Sequence, residues 1–165
     1  MKKKKMLQLE KREKMMPLHH IDDSVILEAV LAPTGDIGIH CTRYINLIGQ
    51  KYRAKICLPA MGEILKCLLE EDNVNRIPLF DHVCRLIEEK EIGICSVSQE
   101  AKETDIMHIM KKDRRIEPFD RLVYSCACTD KEARALVTID KNLLNFEIKN
   151  IPQHLRKRIG HPQDF

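Results

Sequence analysis

Short apolar runs at residues 18–21, 54–58, 92–97 and 136–139 are separated by longer stretches in which Leu, Ile and Val return every three or four positions. The short runs have the length of strands covered on both faces, and the longer stretches have the period of helices with one buried side. A helix is predicted from Asp22-Asp23-Ser24 through residue 31. Others are predicted over 41–52, with Ile45, Ile48 and Tyr52 aligned, over 61–71, with Ile64, Leu65, Leu68 and Leu69 inward, and over 82–91 and 98–112. A helix opening on Asp120 leads by a turn into the strand at 136–139, and short helices follow at 141–146 and 152–158. Pro33-Thr34-Gly35-Asp36 reads as a turn, Pro59 as the end of a strand, and 72–81 as a loop. The alternation predicts a three-layer α/β/α sandwich around a central, mostly parallel sheet.

Composition narrows this picture. At 165 residues, the chain fits one domain, long enough to bury about 70% of its unfolded surface. Apolar residues make up 44%, aromatics only 4%, and Trp is absent, so the core is aliphatic. Cys41, Cys57, Cys67, Cys84, Cys95, Cys126 and Cys128 form no CxxC pair. Packing as small apolar thiols in a reducing compartment is expected rather than zinc or disulfides. No apolar run approaches the ~20 residues of a membrane span, and the basic start leads into no apolar segment of the secretory kind. A cytoplasmic protein without a membrane partner is expected.

Charge divides the chain. Lys2, Lys3, Lys4, Lys5, Lys11, Arg12 and Lys14 stand against Glu10 and Glu13, so of the net +3 the rest is slightly acidic. Residues 1–16 are read as a basic tail and 17–165 as the folded domain. Affinity for nucleic acid has to come from the tail or from local patches, although a solvated tail that only aids solubility accounts for the charge equally well.

Sites in open parallel sheets form outside the carboxyl ends of the strands. Asp22, Glu63 and Asp140 lie at or just beyond such ends, and Asp120 begins the helix that feeds the last strand. Singly, Asp22 and Asp120 serve as helix caps, Glu63 as a first-turn partner of a helix dipole, and Asp140 as a turn residue. Together, four carboxylates repel unless a cation is shared, and Mg²⁺ or Mn²⁺ takes such oxygen ligands. An ion of this kind acidifies water and neutralises charge on phosphorus oxygens, which suits phosphodiester hydrolysis and phosphatase chemistry alike. The seven histidines form no HxH or HExxH pattern, and His19 and His20 are expected to pack on opposite faces of the first strand.

The segments Ile21-Asp22-Asp23-Ser24-Val25-Ile26-Leu27, Met61-Gly62-Glu63-Ile64-Leu65, Phe119-Asp120-Arg121-Leu122-Val123 and Leu136-Val137-Thr138-Ile139-Asp140 resemble a PIN domain of the VapC-like ribonuclease type over residues 18–165. The resemblance implies Mg²⁺- or Mn²⁺-dependent cleavage of RNA. Asp22, Glu63, Asp120 and Asp140 would be the catalytic acids that hold the metal, with the hydroxyls of Ser24 and Thr138 orienting them. Asp23 departs from the pattern, which usually has a small polar residue there, and adds an acid. Residues 160–165 resemble the terminal segment of such domains and are expected to pack at a sheet edge with Phe165 buried.

Lys111, Lys112, Arg114, Arg115 and Arg121 beside Asp120, and Lys141 after Asp140, are the residues expected to hold RNA phosphates. A solvated helix end accounts equally well for the first four. The scarcity of aromatics points to recognition by shape and phosphate more than by stacking. The implied partners are RNA, a second copy of the chain, and either the antitoxin of a toxin-antitoxin pair or a ribosome-associated protein. The alternatives are a catalytically inactive PIN-like module that binds RNA or protein, and a metal-dependent phosphatase or DNA nuclease.

Overall fold

The computed structural model describes residues 15–70 and 76–165. The basic residues 1–14, and with them most of the expected tail, lie outside the described residues, as do 71–75 of the expected loop. Strands β1 (Leu18–Ile21), β2 (Arg53–Cys57), β3 (Gly93–Cys95), β4 (Ala133–Val137) and β5 (Arg158–Gly160) form one sheet in the order β3-β2-β1-β4-β5, with every pairing parallel. Parallel neighbours need crossovers, supplied here by α1 (Asp23–Leu31), α2 (Asp36–Leu47), α3 (Leu58–Glu70), α4 (Arg76–Glu89), α5 (Gln99–Glu103), α6 (Asp105–Met110) and α7 (Pro118–Thr129). A short α8 (Lys141–Leu144) follows β4. The α/β/α class is as expected.

The chain winds outward from β1 to β3 and then returns to β4 on the other side of β1. The switch between the two directions falls at the carboxyl ends of β1 and β4, where sheets of this type open a crevice. Both strands are buried throughout apart from Arg134. Ile21, Val25, Ile26, Ile56, Ile64 and Leu136 are fully buried, and each such side chain contributes about 1.5–3 kcal/mol on leaving water. The crevice therefore rests on closely buried core.

His19 and His20 go to opposite faces of β1. His19 Nδ1 hydrogen-bonds Tyr44 Oη at 3.0 Å, and its ring packs against Tyr52 and Phe165 at 4.7 and 4.6 Å. Burial, reinforced by the charge of Arg158, lowers its pKa to about 4. His20 Nε2 meets Asp130 Oδ2 at 3.1 Å, and Lys55 Nζ donates to the same oxygen at 2.7 Å. Burial opposes ionisation of Asp130, but these hydrogen bonds and one from the Glu132 N–H outweigh it and hold its pKa at about 2.

Several boundaries differ from the sequence reading. The helix expected at 41–52 is Asp36–Leu47, and Tyr52 instead bridges to Ile48. Pro59 does not end a strand. It lies in the first turn of α3, where its missing N–H costs nothing. Residues 76–81, expected as loop, are helical. The helix expected over 98–112 is two helices, because Thr104 leaves helical geometry and caps α6 through Ile106 N. The helix expected at 152–158 is absent. Arg156 folds its guanidinium onto the carbonyls of Lys149 and Ile151, and Arg158–Gly160 pairs with the open edge of β4. Sheet pairing overrides local propensity there. Of the terminal segment 160–165, expected at the sheet edge, only Gly160 belongs to that edge strand; Pro162–Asp164 form a 3-10 turn, and Phe165 is partly rather than fully buried in the His19, Tyr44 and Tyr52 cluster.

Candidate functional site

Asp22 follows β1 directly and occupies the N-cap position of α1, yet its side chain caps nothing. Its Oδ2 accepts two hydrogen bonds of 2.6 Å, from the Ser24 and Thr138 hydroxyls. Its Oδ1 is buried and has no hydrogen-bond partner. Two hydroxyls thus fix the carboxylate on one side and leave the other oxygen bare. A buried anionic oxygen without a partner is costly, by several kcal/mol unless a charge or donor meets it.

Thr138 stands one residue beyond β4, fully buried. The same hydroxyl that donates to Asp22 accepts from the Asp140 N–H at 2.9 Å, and Asp140 Oδ1 caps α8 by accepting from Leu143 N at 2.8 Å. On α7, Asp120 is the third helical residue rather than the first, and its Oδ2 accepts from the Glu117 N–H at 3.1 Å. Each of the three aspartates spends one oxygen on the protein, and the other makes no hydrogen bond among the described residues.

Their charges act on one another. Burial, then the negative charge of Asp22, and to a lesser degree those of Asp140 and Glu117, raise Asp120 to a pKa of about 6 despite its bond from Glu117 N–H. Asp23, the acid that departs from the family pattern, sits in the same crevice, and burial, then the charge and close approach of the Asp22 carboxyl, and to a lesser degree the charge of Asp120, raise it to about 8. Such shifts mark carboxyls that are buried and crowded together. The structure brings together Asp22, Asp23, Asp120 and Asp140.

Glu63 is engaged differently. It lies in the second turn of α3, not the first, which removes the helix-dipole explanation. Its carboxylate is 30% exposed and pairs with Lys66 Nζ at 3.3 Å. As they stand, no three His, Cys, Asp or Glu side chains among the described residues form a group able to hold a metal ion. The donor set nonetheless suits a hard divalent cation: carboxylate oxygens only, one of them buried and bare, with mutual repulsion to relieve.

Of the basic residues expected to meet RNA, Lys111, Lys112, Arg114, Arg115 and Lys141 are exposed. Arg115 is forked onto Asp113, at 2.9 and 2.6 Å. Arg121 turns inward, and its Nε and Nη2 both donate to the Ile116 carbonyl at 3.1 and 2.6 Å, so it braces the loop before α7 instead of facing solvent. Sequence reasoning missed Lys66 as the partner of Glu63. An acid and a base three residues apart on a predicted helix were the available signal.

No family model matches the chain, and no curated protein matches it by sequence. Solved structures do match in shape. A chain of VapBC2 from Rickettsia felis, bound to a DNA fragment from their promoter, superposes with a TM-score of 0.63 at 14% identity, covering 87% of this chain and 98% of that one. A chain of DNA-bound VapBC from Salmonella typhimurium gives 0.63 at 17% identity, with 89% and 99% covered. PAE2754 from Pyrobaculum aerophilum gives 0.59 at 14%, with 92% and 93% covered. The fold is PIN/VapC-like.

Proposed function

We propose that the chain is a Mg²⁺- or Mn²⁺-dependent endoribonuclease that hydrolyses RNA phosphodiester bonds at the crevice between β1 and β4. The observation that carries this reading is the buried Oδ1 of Asp22, which makes no hydrogen bond, beside two carboxyls pushed up by burial and then by the charge of Asp22. Asp22, Asp120 and Asp140 would hold the ion, with Glu63 joining after release from Lys66. When bound, such an ion supplies activated water and charge neutralisation at the phosphate. The chain's own work is positional. Ser24 and Thr138 hold Asp22 in one orientation, Thr138 ties Asp140 to it, and the Glu117 N–H holds Asp120. Lys111, Lys112, Arg114 and Lys141 would meet flanking phosphates.

The VapBC structures of similar fold support a toxin held by an antitoxin. Leu58, Leu65 and Leu69 on α3, with Ile77 and Phe80 on α4, are large and exposed, which favours a protein partner or a second copy on that side. The basic residues 1–14 favour RNA processing beside the ribosome instead. The proposed setting is cytoplasmic.

The test is a substrate panel of RNA, single-stranded DNA, flap DNA and a phosphomonoester in Mg²⁺ or Mn²⁺. Internal cleavage of RNA alone is expected, abolished by chelation and lost in Asp120→Asn with folding intact. Undiminished cleavage by that variant would refute the site. The pairing of Glu63 with Lys66 keeps one rival alive, a binding module without catalysis. Absence of divalent-ion binding by calorimetry would establish it.

A further inference from the structure

A cleft of about 810 Å³ opens between residues 109–115 and 145–150, within the roughly 300–1,000 Å³ of small-molecule sites. Both walls run straight into the acids. Asp140 caps α8, whose end delivers Asn145 and Phe146 to one wall. On the other, Arg115 is followed by buried Ile116, clamped by Arg121, and by Glu117, whose N–H is bonded to Asp120. Each wall is thus joined by a short stretch of chain to one of the acids, Asp140 or Asp120.

The chemistry of the lining selects a ligand. The two anions that line the cleft are already engaged, Asp113 with Arg115 at 2.6 Å and Glu147 with Lys149 at 3.0 Å. The cations Lys112 and Arg114 make no ion pair among the described residues, so the uncompensated charge is positive. Asn145 and Asn150 are exposed, and neither side-chain amide makes a hydrogen bond among the described residues. An amide offers a donor and an acceptor side by side, the complement of adenine N7 and N6. Phe146, edge-on to Tyr124, adds an apolar surface.

We infer that the cleft between residues 109–115 and 145–150 binds one nucleotide of a single-stranded RNA flanking the cut, with phosphate on Lys112 and Arg114 and an adenine base read by Asn145 and Asn150. The inference rests on the ribonuclease reading and adds base preference to it. It is tested on the full chain in chelator, so that nothing is cut, by fluorescence anisotropy of labelled oligoadenosine and oligouridine RNA. Tighter binding of oligoadenosine is expected, and Asn145→Ala with Asn150→Ala should lower it about tenfold while sparing oligouridine. The double variant Lys112→Ala, Arg114→Ala should weaken both oligomers and reduce the slope of log affinity against log salt by about 2.

Binding unchanged in all these variants would overturn the subsite but not the nuclease, whose cleavage and loss in Asp120→Asn are measured separately. The expected pattern in a chain that cuts nothing would uphold the subsite and discard the nuclease. Adenosine monophosphate binding as tightly as the oligomer would make this a free-nucleotide site and overturn the RNA assignment.

Discussion

The Thr138 hydroxyl donates to Asp22 Oδ2 at 2.6 Å across a sequence separation of 116, and in the same position accepts from the Asp140 N–H at 2.9 Å. One buried hydroxyl thus sets the orientation of an acid after β1 and the backbone beneath an acid after β4. Replacing it with the isosteric Thr138→Val leaves the Asp140 N–H unsatisfied and Asp22 held by Ser24 alone. The expected cost is about 1–3 kcal/mol in stability and about 10–100-fold in Mn²⁺ affinity or RNA cleavage. Denaturant melts, calorimetry and a cleavage assay read the two effects. A variant with parental metal affinity would deny Thr138 its positioning role.

Lys66 Nζ pairs with the Glu63 carboxylate at 3.3 Å. The pair is largely solvent-exposed, so Lys66→Ala should change stability by less than about 1 kcal/mol. If Glu63 joins the ligand set, removing the competing ammonium should tighten Mn²⁺ binding by about 3- to 10-fold, equivalent to roughly 1 kcal/mol. Calorimetric titration decides it, and unchanged affinity would place Glu63 outside the site.

The acids also predict a pH response. Asp23 and Asp120 are raised to about 8 and 6 in the folded protein, so between about pH 4 and 8 the folded state holds protons that the unfolded chain has released. Their contribution to the stability of the metal-free protein is therefore fullest at the acid side of that window and is lost as pH rises through it, while buried His19 and His20, whose pKa values are lowered, act in the opposite direction below about pH 6.5. The Tm of the parent relative to Asp23→Asn should therefore fall between pH 5 and pH 8, and Mg²⁺ should offset the fall at the alkaline end. A parent-minus-variant Tm that does not change over this range would contradict the raised pKa of Asp23.

Two glycines should respond in opposite directions to the same substitution. A methyl at Gly38 would stand 1.8 Å from the Ala32 carbonyl oxygen, where α1 meets α2, so Gly38→Ala should cost about 3 kcal/mol through backbone displacement. At Gly62, within α3, a methyl meets nothing within 4 Å, and Gly62→Ala should gain about 0.5–1 kcal/mol from helix propensity. Chemical denaturation measures both.

The sequence by itself determined the class of fold, because apolar runs of strand length alternating with helical periods leave few arrangements other than a covered parallel sheet. It also marked Asp22 and Asp140 as strand-end acids, since a strand terminus and a following polar turn are local features. What it could not carry were the long-range choices. β5 exists because the edge of β4 offered free backbone partners to Arg158–Gly160, a fact invisible to the helical pattern at 152–158. Arg121 faces inward because the Ile116 carbonyl needed a donor, and Glu63 turns to Lys66 because an ammonium lies within reach. Asp23 is raised to about 8 because packing buries it beside Asp22, a burial between elements that its own position in the sequence does not report. Periodicity reports which face a residue takes on its own element. Which partner meets it there is settled only when separate elements pack, and charge and hydrogen bonding then act across that contact.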